Sequence, residues 1–261
     1  MNFAVTVGKN GAPGLTGKAR AWSEELGLPF IGRDKGTLDE FITRGGFDGA
    51  LVATAKGPEL YSAGGRLFFH PGMSVRRIGN LCAGAGDRMV RAMGLKRGMS
   101  VLDCTLGLAA DACVASWAVG REGLVVGVEA VKPVAFVIRE GLSNYRADNE
   151  ELTAAMRRIR VVFSDALAYL KKAADNSFDI VYFDPMFERI LEKSHNMEPL
   201  RPVAHALKLD GALLAEAQRV AAGKVVIKTI EPGKHFPWLL ARLTGDGRYS
   251  KLKYAVLEAG G

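Results

Sequence analysis

Residues 101–111 read VLDCTLGLAAD, and this stretch decides the fold of the chain. It opens with an apolar run, residues 101–104, that is typical of a buried strand. Gly107 then permits a tight turn and a close approach between the backbone and a ligand. A helical pattern follows from Ala109, and the first turn of such a helix directs its amide groups at that ligand. The stretch therefore predicts a strand, a ligand-binding loop and a helix in immediate succession.

Short apolar runs and helical patterns alternate along the chain after this stretch. The runs are almost continuously apolar, which is typical of strands that are buried on both faces of a sheet. The alternation predicts a Rossmann-like α/β fold with a doubly wound, mostly parallel sheet. The predicted strands span residues 101–104, 124–128, 160–163, 180–183, 224–230 and 251–258, and the predicted helices span residues 86–93, 109–118, 134–145, 166–173 and 212–221.

The N-terminal part of the chain has the pattern of a small α/β unit. Glu40 follows Thr37 by three residues, which is the capping-box pattern of a helix start. We place a boundary near residues 70–72, so that residues 1–72 form a small N-terminal α/β substrate-side module and residues 73–261 the main domain. A plain extension of the main sheet is the alternative. The predicted strands here span residues 3–7, 29–32, 50–54, 59–62 and 66–69, and the helices residues 16–26 and 37–44.

The charge of the chain favours an anionic partner. The 261 residues carry a net charge of +7 and a pI of about 9.4, with 48% hydrophobic and 24% charged residues. Such a composition is typical of a globular protein, and the excess of positive charge favours nucleic acid as a partner. Solubility alone explains the charge equally well. The basic clusters are Arg76-Arg77, Arg88 with Arg91, Lys96-Arg97, and Arg157-Arg158 with Arg160.

The cysteines and the apolar runs predict a cytoplasmic protein. Cys82, Cys104 and Cys113 are too few and too irregularly spaced for a disulfide framework or a metal site. We expect Cys104 and Cys113 to pack as small apolar residues in a reducing compartment. The first residues lack the basic start and the apolar core of a signal peptide, and no apolar run approaches the roughly 18 residues of a membrane span.

Acidic residues end two further strands of the predicted sheet. Glu129 ends the run after the loop, where it is placed to accept hydrogen bonds from ribose hydroxyls. Ser164 and Asp165 end the next run. Asp165 is placed to accept from an adenine amine, or to cap the helix that begins at Ala166, and the two roles are compatible. These positions predict a nucleoside site at the carboxyl edge of the sheet.

The loop departs from the dinucleotide-binding pattern G-x-G-x-x-G. Thr105 and Ala109 stand where glycines are expected, so a pyrophosphate would have a poorer cradle. Asp103 and Asp111 flank the loop with negative charge, which suits a cationic ligand better than a phosphate. S-adenosylmethionine carries an ammonium, a sulfonium and a ribose, and it fits this balance. The missing glycines, together with the Asp-Pro-Met-Phe segment at residues 184–187, disfavour a nicotinamide-dependent dehydrogenase.

A second motif follows the strand at residues 180–183. It reads Asp184-Pro-Met-Phe187 and places a carboxylate, a backbone carbonyl and an aromatic ring at one strand end. In an open α/β sheet, ligands bind beyond the carboxyl ends of the strands. Two acceptors beside a ring suit a planar group that bears an NH₂, such as a nucleobase or an amide. Lys228 ends the fifth run nearby, where it either contacts a substrate phosphate or extends to the surface, and we favour the second.

Together these motifs resemble the class I S-adenosylmethionine-dependent methyltransferases. More narrowly, they resemble the small-subunit ribosomal RNA guanine-N2 methyltransferases and their uncharacterised bacterial relatives. Members of that family usually have glycine where Ala109 stands. The resemblance covers residues 73–230, and the matching segments are residues 103–111, Glu129, Ser164-Asp165, residues 182–187, and Arg76-Arg77 with Gly84, Gly86 and Asp87.

The resemblance implies a cofactor pocket and a base-binding motif. Asp184 and the Pro185 carbonyl would accept the two hydrogens of an exocyclic amine, and Phe187 would stack on the base. These three are the predicted catalytic residues. The predicted cofactor-binding residues are Asp103, Thr105, Gly107, Ala110, Asp111, Glu129, Ala130, Ser164, Asp165 and Asp184.

The leading prediction is methyl transfer to an exocyclic amine of RNA, with guanine N2 of ribosomal RNA as the acceptor. One alternative keeps the cofactor and changes the substrate to a protein amide or a small molecule. Another is a non-catalytic RNA-binding protein that retains the cofactor fold.

Overall fold

The computed structural model describes residues 1–8, 14–33, 36–63, 65–185, 207, 209–229, 243–244 and 252–259. They fall into two compact units. The first contains Met1–His70 and Val131–Asn144, and the second contains Pro71–Ala130, Tyr145–Pro185 and the described residues beyond 206.

Strands and helices alternate through most of the described chain. The described strands are β1 (Phe3–Val7), β2 (Gly49–Thr54), β3 (Gly57–Ser62), β4 (Gly65–Leu67), β5 (Ser100–Asp103), β6 (Leu124–Glu129), β7 (Ile159–Phe163), β8 (Phe178–Phe183), β9 (Ala221–Thr229), β10 (Leu243–Thr244) and β11 (Lys253–Glu258). The described helices are α1 (Leu15–Leu26), α2 (Leu38–Gly45), α3 (Met73–Cys82), α4 (Arg88–Met93), α5 (Ala110–Val119), α6 (Lys132–Asn144), α7 (Glu150–Arg158), α8 (Ala166–Lys172) and α9 (Gly211–Val220).

The first unit is built on a four-stranded sheet in the order β1-β2-β3-β4, in which β1 pairs with β2 in parallel and the other pairs are antiparallel. Helix α6 lies in this unit, although it follows β6 along the chain. Its Gly141 is required, because a Cβ there would lie 2.0 Å from the Cγ of Phe69. Trp22 of α1 meets Phe136 of α6 edge to face, with 5.3 Å between the ring centroids.

The second unit is built on a seven-stranded sheet in the order β10-β11-β9-β8-β5-β6-β7. The strands from β9 to β7 pair in parallel, and β11 pairs antiparallel with β9. From β5, the chain adds β6 and β7 on one side and then β8 and β9 on the other. The strand order therefore reverses between β5 and β8, which is where ligands bind in open α/β sheets.

A buried apolar cluster fixes the register of the central strands. Leu102 of β5, Val181 and Phe183 of β8, and Leu213 and Ala217 of α9 all belong to it. Successive side chains of a strand point to opposite faces, so a slip of one residue would move this whole set out of the core. The register therefore fixes which residues emerge at the carboxyl edge of the sheet.

The structure confirms the predicted fold class and most of the predicted elements. The capping box of α2 is present, since Thr37 and Glu40 each accept a hydrogen bond from the other's backbone N–H. Residues 29–32 form only a one-residue bridge between Phe30 and Val5, so the strand predicted there is wrong. Pro29 cannot donate to a ladder, which limits that pairing. Helices α3 and α7 were not predicted, and Ile230 lies outside the described residues.

Cys104 and Cys113 are buried and free, as predicted, and Cys82 is free and exposed. Burial raises the pKa of the Cys113 thiol to about 12. No described helix is long and apolar enough to cross a membrane. The substrate-side role of residues 1–72 stays a prediction.

Candidate active site at the carboxyl edge of the sheet

Four neighbouring strands of the second unit end beside one another. Asp103, the last residue of β5, is in register with Tyr182 of β8 and with Gly127 of β6. Glu129, the last residue of β6, is in register with Phe163 of β7. The sheet therefore brings the predicted cofactor-binding residues at these strand ends to a single edge, at the point where the strand order reverses.

The loop after β5 has the backbone conformation of a close ligand approach. Gly107 and Ala109 have φ values of 46° and 59°, in the left-handed region that favours glycine. A Cβ on Gly107 would lie 3.8 Å from the carbonyl oxygen of Thr105, an ordinary van der Waals contact. Ala109 is the N-cap of α5 and has no side chain that could bind the first-turn amides. The first backbone N–H groups of a helix have no acceptor within the helix, and they bind anionic groups. The amides of Ala110 and Asp111 therefore suit the carboxylate end of a ligand.

Thr105 joins the loop to the Asp184 motif. Asp103 is 2% exposed, and its Oδ1 accepts the Thr105 backbone N–H at 3.0 Å and the Thr105 hydroxyl at 3.3 Å. The Thr105 Oγ1 in turn accepts the backbone N–H of Asp184 at 2.6 Å. Threonine therefore supplies a hydroxyl where the dinucleotide pattern has glycine. Burial raises the pKa of the Asp103 carboxyl to about 7.

Asp111 lies at the centre of a charged network. Its Oδ2 accepts the Tyr182 hydroxyl at 2.8 Å and the Lys228 ammonium at 2.9 Å, and Arg77 donates to its Oδ1. Arg77 also binds Asp87 through two bonds, of 2.8 and 2.9 Å. Burial alone would raise the pKa of Asp111, but the two cations outweigh it and lower the pKa to about 2.

Lys228 links Asp111 to the predicted catalytic carboxylate. Its Nζ donates to the Oδ2 of Asp184 at 2.7 Å, so the interpretation that this side chain extends to the surface is wrong. Burial lowers the pKa of Lys228, but Asp111 and Asp184 outweigh it, and the pKa is above its ordinary value. The register of β8 and β9 explains the contact between Lys228 and Asp184. It places Phe183 opposite Ile227 and brings the next residue of each strand side by side.

The sequence predicts a cationic ligand from the charges of Asp103 and Asp111, and the structure gives a different reason for that expectation. The charge of Asp111 is already balanced by Arg77 and Lys228. Counting Asp87 and Asp184 as well, three carboxylates face two cations, which leaves one negative charge. Asp103 adds more when it ionises. The net charge of the group, and not Asp111 alone, therefore suits a cation.

The remaining predicted residues lie at the ends of β6, β7 and β8. The Ser164 N–H donates to the Glu129 carbonyl at 3.1 Å, which fixes these two strand ends against each other. Asp165 caps α8 by accepting the Ala168 N–H through its Oδ1 at 3.0 Å. Pro185 is buried, and Phe187 lies outside the described residues.

Several basic side chains are exposed on the helices that precede the cofactor loop. Arg77 of the predicted basic clusters is engaged within the site, but Arg76 of α3 and Arg88 and Arg91 of α4 are exposed. Helices α3 and α4 are tied to the network by the Arg77–Asp87 pair. Their exposed arginines therefore lie on elements that also shape the candidate site. Among the described residues, no group of three or more His, Cys, Asp and Glu side chains could hold a metal ion.

A family model with the description "Putative SAM-dependent methyltransferase" matches residues 68–239. The chain belongs to this family. It is an S-adenosylmethionine-dependent methyltransferase, as the sequence motifs predicted, and S-adenosylmethionine is its cofactor.

The chain is similar to proteins of known sequence and to a solved structure. The methyltransferase is 42% identical to the uncharacterized protein YpiP of Bacillus subtilis (strain 168), over 80% of this chain and 82% of that protein. It is 30% identical to the ribosomal RNA small subunit methyltransferase J of Pseudomonas aeruginosa (strain LESB58), over 82% of this chain and 80% of that enzyme. The crystal structure of the SAM-dependent methyltransferase NGO1261 from Neisseria gonorrhoeae shares the fold, with a TM-score of 0.62, 18% identity, and coverage of 99% of this chain and 96% of that chain.

The residues present fit this cofactor. The first turn of α5 has no capping side chain, and the network beside it carries a net negative charge for a cationic ligand. Glu129 at the end of β6 offers a carboxylate of the kind that binds ribose hydroxyls.

Proposed function

We propose that this methyltransferase transfers a methyl group to the exocyclic N2 amine of guanine in RNA, with ribosomal RNA of the small subunit as the substrate. The observation that carries the proposal is the position of Asp184 and Pro185. They follow β8 directly and are anchored to the cofactor loop through the Thr105 hydroxyl. An acceptor pair at that place suits an NH₂ group presented to a methyl donor.

The chemistry asks the protein mainly to position the two substrates. When bound, S-adenosylmethionine supplies an activated methyl group on a sulfonium. The Asp184 carboxylate and the Pro185 carbonyl would accept the two N–H groups of the amine, which aims the nitrogen lone pair away from both. Once the nitrogen has gained the methyl group, it must release one proton, and the Asp184 carboxylate is placed to accept it. Phe187 would stack on the base.

The cofactor would be held by the loop and by the neighbouring strand ends. We assign the amides of Ala110 and Asp111 and the loop residues Asp103, Thr105 and Gly107 to its amino-acid part. We assign Glu129 and Ala130 to the ribose, and Ser164 and Asp165 to the adenine. Asp184 would lie between the two substrates.

Two further observations support RNA as the substrate. The relative from Pseudomonas aeruginosa is a ribosomal RNA small subunit methyltransferase by name, and the alignment covers most of both chains. The net charge of +7 and the exposed arginines of α3 and α4 suit the phosphate backbone. Such a substrate would place the enzyme in the cytoplasm, with RNA as its partner.

The test is methyl transfer from labelled S-adenosylmethionine into small-subunit ribosomal RNA, both free and within the subunit. Digestion to nucleosides and mass spectrometry then identify the product. We expect the label in N2-methylguanosine. Label in another nucleoside would overturn the assignment to guanine N2, and label only in protein or in small molecules would overturn the assignment to RNA.

A further inference from the structure

Lys228 lies within the candidate site, but the proposed reaction assigns it no role. Its ammonium lies between two carboxylates of different elements, 2.9 Å from Asp111 on α5 and 2.7 Å from Asp184 after β8. Its side chain is 23% exposed. A lysine whose ammonium is held by two carboxylates has lost rotamer freedom that an unpaired surface lysine keeps. The position of Lys228 therefore indicates that it has a role in the site.

The ammonium selects one oxygen of the Asp184 carboxylate. Lys228 binds Oδ2, while Thr105 holds the Asp184 backbone N–H at 2.6 Å. Within the described part of the chain, Oδ1 of Asp184 accepts no hydrogen bond. These two hydrogen bonds hold both the backbone and the side chain of Asp184 in place. They leave Oδ1 as the acceptor for an incoming amine.

The ammonium also favours the ionised form of Asp184. Burial raises the pKa of this carboxyl, and Lys228 opposes that effect. A protonated carboxyl would present a donor where the proposed reaction requires an acceptor. The other charged or titratable groups around the pair are Asp111 of α5, Arg77 of α3, Tyr182 of β8, Asp103 of β5 and Tyr254 of β11. Of the two cations, Lys228 alone contacts Asp184.

We propose that Lys228 is a positioning residue for methyl transfer: it holds the Asp184 carboxylate by Oδ2, keeps it ionised, and ties it to Asp111 at the start of the cofactor-binding helix. The inference rests on the role proposed for Asp184. It adds a physical link between the two substrate sites, because one ammonium connects the helix that meets the cofactor to the carboxylate that meets the acceptor.

The first test needs no methyl acceptor. The pKa of the Asp184 carboxyl is followed by NMR of protein labelled with ¹³C-aspartate, with the Asp184→Asn variant to assign the signal. We expect a higher pKa in the Lys228→Met variant than in the wild type, since methionine keeps most of the volume and removes the charge. The same titration in both proteins would overturn the inference, whatever the substrate is.

The second test is the pH profile of single-turnover methyl transfer with the acceptor found above. We expect the Lys228→Met rate at neutral pH to fall by roughly 10- to 100-fold, as for a misplaced group near the reacting atoms. The loss should shrink as the pH rises and Asp184 ionises again. A loss of the same factor at every pH would show a merely structural role and would overturn the inference.

Two variants complete the design. Lys228→Arg keeps a cation and should restore a pH profile like that of the wild type, even at a reduced rate. Lys224→Met makes the same change on the same face of β9, four residues earlier, and should leave rate and profile unchanged. If the wild type methylates no RNA while the NMR result holds, the substrate proposal fails and the inference about Lys228 stands.

Discussion

Strand β8 has one aspartate near its start and another directly after its end, and the two have different surroundings. Asp179 accepts the backbone N–H and the hydroxyl of Ser100 through Oδ2, both at 2.7 Å, and its own N–H donates back to that hydroxyl at 2.9 Å. These neutral donors close a reciprocal link between β8 and β5. Asp184 instead contacts a cation that it shares with Asp111.

The difference separates a structural aspartate from a functional one. The Asp179 link joins neighbouring backbones and uses no buried cation, so it aligns two strands at the amino edge. At the carboxyl edge, five charged groups are packed together, and their pKa values are shifted in both directions. Shifted ionisable groups gathered at one place are typical of a site that performs chemistry.

The largest effect should follow from Asp184→Asn. The amide keeps the shape but cannot accept a proton, so we expect the rate of methyl transfer to fall by at least about 100-fold. The melting temperature should change little, because the change also removes a charge from a crowded site. Single-turnover transfer and a melting curve check this, and an unchanged rate would remove Asp184 from the mechanism.

Asp179→Ala should give the opposite pattern. It leaves the Ser100 N–H without its acceptor, and we expect a loss of about 1–3 kcal/mol in the free energy of unfolding. Methyl transfer at 25 °C should stay close to that of the wild type. The control is Asp175→Ala, which removes an exposed pair with Arg219 and should cost less than about 1 kcal/mol. Urea denaturation measures both, and equal losses would contradict the structural role of Asp179.

Asp103→Asn tests the charge of the carboxyl edge through pH. The pKa of Asp103 is raised from 3.8 to about 7, so its contribution to stability is present below pH 3.8 and is lost as the pH rises toward 7. The variant has no such loss and should melt at a higher temperature than the wild type at pH 8, with a smaller difference at pH 5. Curves that stay parallel across this range would contradict the shift.

The same variant should weaken cofactor binding. Ionised Asp103 adds negative charge beside a cationic ligand, so wild-type affinity for S-adenosylmethionine should rise as the pH passes 7. The Asn variant should lack this rise. Calorimetry at several pH values measures it, and a rise in both proteins would assign the effect to another group.

The smallest effect should follow from Ala109→Gly. Ala109 has a φ of 59° in the left-handed region, where an L-residue with a Cβ costs about 1–2 kcal/mol. Glycine removes that cost but loses a buried methyl worth about 0.8 kcal/mol, so we expect a change of less than about 1 kcal/mol with cofactor binding retained. Chemical denaturation with calorimetry checks this, and a loss of binding would show that the methyl itself shapes the loop.

Local signals made much of the fold predictable. The apolar strand, Gly107 and the helix after it lie within eleven residues, and the capping box of α2 spans four. Helix α3 gave little signal, since it begins after Gly72 without a capping side chain. Helix α7 did have a start signal, because Asn149 caps it and acidic residues fill its first turn. Its many charged residues, however, obscure the apolar pattern of a helix.

The side-chain contacts at the centre of the site were harder to predict from the sequence. Lys228 is 117 residues from Asp111, and the two are brought near each other by the strand order β5-β8-β9. Arg76-Arg77 and Asp87 belong to one segment of the family resemblance, but nothing in the sequence indicates that Arg77 binds Asp111 and Asp87 while Arg76 stays exposed. Pairings of this kind depend on tertiary structure, so residue type and spacing do not reveal them.

The central claim is that the carboxyl edge between β5 and β8 holds both substrates, and a crystal structure with S-adenosylhomocysteine tests it most directly. We predict the ribose at Glu129, the amino-acid part at the amides of Ala110 and Asp111, and the sulfur beside Asp184, with the Lys228–Asp184 pair intact. A ligand bound away from these strand ends, or a Glu129 that makes no contact with it, would contradict the account.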